Sequence, residues 1–205
     1  GYRLFIGMTT ALETVYVPAG AYDAYSSAFQ SYIGSARIKS VGTVGDFQVD
    51  DGVLTVYLGD GGDVVIPDEV TAIGTSAFQN CTGLTSVTIP EGVTSIGAYA
   101  FSGCTGLTGI SFPESLTSIG IYAFSGCTAM TGGLTIPAAV TSIGTYAFNN
   151  CTGLNGKLVI EAGTKTIGTY AFYGCKNLTA LELGNGITSI GTYAFNNCTG
   201  MTGDL

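Results

Sequence analysis

Six cysteines carry the most reactive side chains of this sequence. The sequence has no CxxC motif and no histidine, so the converging ligands of a metal site are lacking. Disulfides are geometrically conceivable, since ~5 Å between stacked Cα atoms lies within the permitted range. Each cysteine, however, follows a phenylalanine at an inward position, and a buried free cysteine behaves as a small hydrophobe. We predict a ladder of free, buried thiols: Cys81, Cys104, Cys127, Cys151, Cys175 and Cys198.

Acid–base and nucleophilic chemistry have few candidates. Without histidine, neither a Ser–His nor a Cys–His nucleophile can be assembled. Asp68, Glu91 and Glu114 each follow the proline of a repeat and should stack in one column. We interpret this column as a solvated acidic edge, with Ca²⁺ as the ligand it would suit, because hard cations take oxygen ligands. We therefore predict a non-enzymatic protein with no catalytic residue and no cofactor.

Five tyrosines form a second column of candidates, which begins after Ser76 of the first repeat. Each lies two residues before a buried phenylalanine and should lean away from the core, partly exposed. In one interpretation the rings pack on each other and cover the core; in the other they form a binding face. The residues are Tyr99, Tyr122, Tyr146, Tyr170 and Tyr193.

The elements that position these side chains are tandem repeats. The phenylalanine of an AFxxC motif recurs in steps of 23, 23, 24, 24 and 23 residues, from Phe78 to Phe195. A period in this range is typical of a solenoid, in which each repeat buries its apolar face by stacking on its neighbours.

Within one repeat, Val87-Thr88-Ile89 alternates as a short half-buried strand does, and Pro90 ends it. Gly97 allows a sharp corner. The segment that follows is too short for a helix, so we predict one helical or 3₁₀ turn that pushes Phe101 into the core.

The pattern LxxVxIPxxVxxIGxxAFxxCxx, repeated over about 63–205, resembles the BspA-like (Treponema-type) class of leucine-rich repeats. The resemblance implies a right-handed solenoid of short parallel strands. It also implies a cell-surface or secreted protein of bacteria that adheres to a host or neighbouring-cell protein or to a glycan. The alternative is a structural spacer that projects other domains and binds nothing.

Four segments are predicted along the chain. Residues 1–18 match the repeat frame and are interpreted as the remnant of an earlier repeat, and 19–44 as a helical connector with its helix over 19–34. In 45–62, Asp51-Gly52 predicts a β-hairpin cap. Six repeats and the start of a seventh strand fill 63–205, and the single residues added near 132 and 156 should loop out without changing the core register.

The net charge of the chain limits the classes of molecule that it could bind. Six basic and 14 acidic residues give a formal charge of −8, which argues against nucleic acid. No apolar run is long enough to span a membrane. Because the chain begins at Gly1, we expect it to be part of a longer protein, and an uncovered last strand should favour end-to-end self-association.

Overall fold

The chain winds into a β-solenoid with one turn, or rung, for each AFxxC repeat. The computed structural model describes residues 14–18, 37–44 and 46–202. Equivalent residues of successive rungs lie one above the next, because strands of neighbouring rungs pair in parallel and in register. The solenoid predicted from the repeat period is confirmed.

Short strands in three sheets build the rungs. A ten-stranded sheet runs in the order β1-β2-β3-β4-β6-β8-β9-β11-β13-β15, beside a three-stranded sheet, β10-β12-β14, and a two-stranded sheet, β5-β7. The strands are β1 (Thr14–Pro18), β2 (Arg37–Val44), β3 (Phe47–Asp50), β4 (Val53–Tyr57), β5 (Gly62–Val65), β6 (Ala72–Ile73), β7 (Leu84–Thr88), β8 (Ser95–Ile96), β9 (Ser118–Ile119), β10 (Leu134–Ile136), β11 (Ser142–Ile143), β12 (Lys157–Ile160), β13 (Thr166–Ile167), β14 (Ala180–Leu183) and β15 (Ser189–Ile190).

Most rungs contain two strands, whereas the sequence predicted one. The predicted strand forms in five rungs but is absent at 107–112, where Gly109 occupies the position of Ser86 in β7. The second strand has only two residues, as in Ser95–Ile96, yet it continues through all six rungs. A two-residue run is too short to show a period, so the sequence did not reveal it.

The helical or 3₁₀ turn predicted before each phenylalanine is wrong, since 98–104 forms a series of tight turns instead. Ala100 N–H donates to the carbonyl of Gly97 within the rung, at 3.4 Å. The next amide, of Phe101, donates to the carbonyl of Ala123 in the following rung, at 2.7 Å. Because alternate amides point along the solenoid axis, the segment bonds its neighbours rather than coiling on itself.

Each rung turns its corner at a glycine whose replacement by a larger residue would force the neighbouring backbone to move. A Cβ built on Gly97 would lie 2.8 Å from the backbone of Gly74, and one built on Gly144 would lie 2.5 Å from that of Gly120. The reason for glycine here is the close approach of the neighbouring rung's backbone, not an unusual φ.

A stack of phenylalanine rings fills the core. Consecutive rings from Phe78 to Phe195 lie 4.8–5.4 Å apart and within 12° of parallel. Tyr57 of β4 extends the stack, 4.9 Å from Phe78, and Phe47 of β3 lies 5.4 Å beyond it. The hairpin therefore shares the core of the repeats.

The predicted hairpin is present, with β3 antiparallel to β4 around Asp51-Gly52, and β4 pairs in parallel with β6. The sheet continues past the hairpin, because β2 pairs with β3 and β1 with β2. Residues 37–44, which we assigned to a helical connector, are strand β2; their β-branched residues suit a sheet.

The predicted helix over 19–34 lies outside the described residues, as do residues 203–205 of the predicted seventh strand. That 1–18 is a repeat remnant stays a prediction. The added residues leave the register intact, since Leu158, which follows an added residue, pairs with Leu181 of a rung without one, and Ile160 pairs with Leu183.

Candidate functional site

The five predicted tyrosines stack into one continuous column, which we call the tyrosine ladder. Adjacent rings from Tyr99 to Tyr170 lie 4.6–4.9 Å apart and within 6° of parallel. The last pair, Tyr170 and Tyr193, is 5.0 Å apart and tilted by 27°. Ring spacing follows rung spacing, which is close to the ~4.8 Å between paired strands.

The backbone of the ladder adopts a conformation that bulky residues rarely take. All five tyrosines have positive φ, between 55° and 59°. The left-handed region costs a residue with a Cβ roughly 1–2 kcal/mol, and glycine or asparagine would occupy it with less strain. An aromatic side chain kept in five successive rungs despite this cost must contribute something that a smaller residue would not.

Stacking decides what the ladder presents to solvent. Ring faces are turned towards neighbouring rings, so the inner three tyrosines expose ring edges and hydroxyl groups. These three are half-buried, whereas Tyr99 is 37% and Tyr193 53% exposed. Burial, followed by the neighbouring tyrosine rings, raises the pKa of the Tyr170 phenol, so this group stays neutral at physiological pH.

The cysteines line the interior beside the phenylalanine stack, and all six are free. The four inner cysteines are buried as predicted, but Cys81 and Cys198 are half-buried, which corrects the prediction for the two ends. Cys198 belongs to the last described rung. Cys81 belongs to the first repeat, and the equivalent position in the hairpin before it, three residues after Tyr57, holds the exposed Asp60 instead of a cysteine.

Five of these thiols form a hydrogen-bond series that the sequence did not suggest. The S–H of each donates to the carbonyl of a phenylalanine in the preceding rung, at 3.0–3.1 Å. Burial raises the pKa of Cys104 and of Cys198 to about 12, and it also raises the pKa of Cys127 and of Cys151. Thiols that stay protonated are poor nucleophiles and poor metal ligands.

The proposed acidic column does not form a cation site in the described residues. Asp68, Glu91 and Glu114 are all exposed, and the Glu91 carboxylate accepts the backbone N–H of Glu114 at 3.2 Å. Within 46–202, no group of three or more acidic or cysteine side chains is arranged to hold a metal ion. The Ca²⁺ suggestion therefore has no geometric support here.

A second left-handed column lies four residues after the tyrosines and is made of asparagine and glycine. Asn80, Asn150 and Asn197 have φ of 56–64°, and Gly103, Gly126 and Gly174 have φ of 73–76°. These residue types are expected where φ is positive. The tyrosines share the backbone conformation without sharing that composition, which is why the sequence did not reveal it.

This architecture, with two short strands per rung and in-register ladders of identical side chains, defines a β-solenoid repeat protein. Six copies of the "BspA type Leucine rich repeat region" match residues 62–132 and 131–203. The chain therefore belongs to the family of BspA-type leucine-rich-repeat proteins. No relative was found among proteins of curated function.

Solved structures of bacterial leucine-rich-repeat proteins are similar to this chain. A leucine-rich-repeat protein of T. pallidum is 30% identical, with a TM-score of 0.63 over 78% of this chain and 90% of that one. A leucine-rich cell surface protein of Faecalibacterium prausnitzii is 28% identical, with a TM-score of 0.57 over 78% of this chain.

The match spans 52% of the F. prausnitzii protein, about half its length. A leucine-rich-repeat protein of Eubacterium ventriosum is 19% identical, with a TM-score of 0.66 over 95% of this chain and 61% of that one, and shares the fold. As for membrane insertion, the described part of this chain has no helix of the length and apolar character that a span requires.

Proposed function

We propose that this chain is a non-enzymatic, protein-interaction segment displayed at the bacterial cell surface, and that the tyrosine ladder is its binding face. The observation that carries the proposal is the left-handed backbone of all five tyrosines. A position that would accept glycine or asparagine more readily holds an aromatic ring, partly or fully exposed, in every rung from Tyr99 onward. Tyrosine supplies rigid contact area at low entropic cost, and it is enriched at interaction hot spots.

Surface display is supported by similarity to the F. prausnitzii protein, whose name describes a cell surface protein. The partner suggested by the geometry is repetitive. One weak contact per rung, multiplied along a rigid axis, gives avidity for an extended host or neighbouring-cell protein or for a glycan. Because ring faces are used in stacking, the contacts available along the ladder are ring edges and a row of hydroxyl groups.

The spacer is the second candidate, and the stacking itself favours it. Aromatic pairs contribute ≈0.5–1.5 kcal/mol beyond their buried area, which is comparable to the cost of a left-handed residue. The ladder could thus stabilise the solenoid without binding anything. The two roles make different demands on the hydroxyl groups, because stacking needs only the rings.

The experiment therefore separates ring from hydroxyl at Tyr122, Tyr146 and Tyr170, which have stacked rings on both sides. The triple Tyr→Phe variant keeps the stack and removes the hydroxyls; the triple Tyr→Ser variant removes both. We expect both variants to lose adhesion to immobilised matrix proteins and whole cells, while the Phe variant melts as the unchanged protein does. A folded Ser variant that still adheres would place the interaction elsewhere and favour the spacer.

A further inference from the structure

The tyrosine ladder stops at Ser76, and among the residues that the structure describes this leaves one face of the Tyr99 ring without an aromatic neighbour. On one side Tyr99 stacks on Tyr122 at 4.9 Å, and on the other the column continues into a small hydroxyl residue. We call this open side the Tyr99 face. It is the place in the acidic part of the ladder where a ring surface, rather than an edge, is offered to a partner.

The backbone at Ser76 has the same conformation as at the tyrosine positions of the ladder. Its φ is 59°, within the range of the ladder, and its N–H donates to the carbonyl of Ala98 at 2.9 Å, as the N–H of Tyr99 does to that of Ile121. The difference between the two rungs at this position is therefore confined to the side chain.

The hairpin that precedes the first repeat also lacks an aromatic residue at the ladder position. The N–H of Tyr57 donates to the carbonyl of Ala77, as Phe78 N–H does to that of Ala100, so Tyr57 occupies the phenylalanine position of the preceding rung. Two residues earlier, in the place of a tyrosine, is Thr55, whose hydroxyl donates to the carbonyl of Gln48 at 3.2 Å. Two small residues in succession thus stand in front of the Tyr99 face.

The solenoid is acidic over residues 46–156, whereas the neighbouring strand β2 carries Arg37 and Lys39. Between residues 46 and 156 the sequence has nine acidic residues and no lysine or arginine. Hydrogen bonds from Ser86 and Thr85 lower the pKa of Asp63, which keeps that carboxylate ionised. A field of this sign attracts cationic groups and speeds their association.

We propose that the Tyr99 face binds the cationic side chain of an arginine- or lysine-rich peptide segment. A guanidinium or ammonium group over a tyrosine ring is held by the ring quadrupole, and the net negative charge of residues 46–156 favours the approach of such a cation. This inference rests on the proposed function, because it assigns a chemistry to the partner of the same ladder. The other end is not equivalent: Tyr193 lies in the part of the chain that carries Lys157, Lys165 and Lys176.

The decisive variant is Ser76→Tyr, which should complete the ladder and cover the Tyr99 face without changing any charge. The probe is a hexa-arginine peptide, with the neutral isostere hexa-citrulline as its control, and binding is followed by calorimetry at low salt. We expect the unchanged protein to bind hexa-arginine and not hexa-citrulline. Ser76→Tyr should weaken hexa-arginine binding roughly 2- to 30-fold, the range that a cation–π contact supports.

Two further variants complete the test. Tyr99→Asn removes the ring while keeping a residue that tolerates positive φ, and it should weaken binding to the same extent even if Ser76→Tyr folds poorly. Ile121→Asn, at an exposed position outside the ladder, keeps every tyrosine and should bind hexa-arginine normally. Equal affinity of the unchanged protein and both face variants, or equal binding of hexa-citrulline, would overturn the inference. Neither of these two results bears on adhesion through the tyrosine hydroxyls. The proposed function is tested separately, by the triple Tyr→Phe and Tyr→Ser variants.

Discussion

The thiol of Cys104 lies 3.0 Å from the carbonyl oxygen of Phe78, and that oxygen also accepts the N–H of Cys81 at 3.0 Å. Two donors from two rungs thus meet on one buried carbonyl. Cysteine suits this position because it combines a small apolar volume with a weak donor, so it fills the core and bonds the backbone at once.

The first prediction concerns thiol reactivity. At pH 8, Cys104, Cys127, Cys151 and Cys175 should not react with a thiol reagent until the protein unfolds, because they are buried. Half-buried Cys81 and Cys198 should react first. Reagent counting before and after denaturation gives the number directly. Six thiols reacting rapidly in the native protein, or none reacting after denaturation without a reductant, would contradict the structure.

A second prediction follows from the raised thiol pKa values. Unfolded cysteines ionise near their ordinary pKa of 9.0, whereas Cys104 in the folded protein does so at about 12. The stabilising contribution is therefore complete below pH 9 and is lost as the pH rises towards 12. The melting temperature should fall between pH 9 and 11. A Cys104→Ala/Cys127→Ala variant should show a shallower fall, since tyrosine ionisation is common to both proteins; identical slopes would refute this explanation.

A third prediction concerns the corner glycines. In Gly144→Ala the new methyl group would lie 2.5–2.7 Å from the backbone of residues 120 and 121, which cannot move without shifting a rung. We expect the free energy of unfolding to fall by about 1–3 kcal/mol, the usual cost of overpacking. Gly109→Ala is the matched control, because nothing lies within 4 Å of its Cβ. Similar urea midpoints for the two variants would disprove close approach as the reason for glycine.

The fourth prediction concerns the last described rung. Ile190 is 48% exposed, although the equivalent Ile167 of the preceding rung is 2% exposed. Within the described residues, β14 and β15 each pair on one side, and such an edge is a template for another strand. We expect the 205-residue chain to associate at high concentration in light scattering.

The control for association uses two isoleucines of similar exposure. Ile190→Lys should reduce association, because a charge on an edge discourages pairing. Ile121→Lys, at a position 49% exposed in a rung covered on both sides, should leave association unchanged. A chain extended by two repeats should be monomeric; if it associates as strongly, the open edge is not the cause.

The ladders could be predicted from the sequence because they depend on period alone. Once Phe101 and Phe124 are known to occupy equivalent positions, parallel stacking in register brings their rings together, and the same holds for the tyrosines and cysteines. The partial exposure of side chains in the first and last rungs could not be predicted, because it depends on which residues cover each end of the solenoid. Cys81 has the same NCTGL sequence as Cys151, yet Cys81, in the first repeat, is half-buried, whereas Cys151, with repeats on both sides, is buried.

The backbone conformation of the segment before each phenylalanine could not be predicted from the sequence. Helical or 3₁₀ coiling looked reasonable for the residues before Phe101, since a turn of that length is too short to show periodicity. Hydrogen bonds to the next rung outcompete it, as in Phe101 N–H to Ala123. The positive φ of Tyr99 is imposed by this axial bonding, and nothing in a tyrosine signals it.

Axial hydrogen bonding has a mechanical consequence. The bonds from Tyr99, Phe101 and Gly103 to the next rung all point along the solenoid axis. A pull between the two ends would load these rungs in series, and the weakest rung would peel away first. Releasing one rung frees about 23 residues, whose extended length is roughly 80 Å against a folded rise of only ~4.8 Å. A solenoid anchored at one end and held by a partner at the other would thus act as an extensible tether that yields stepwise under load.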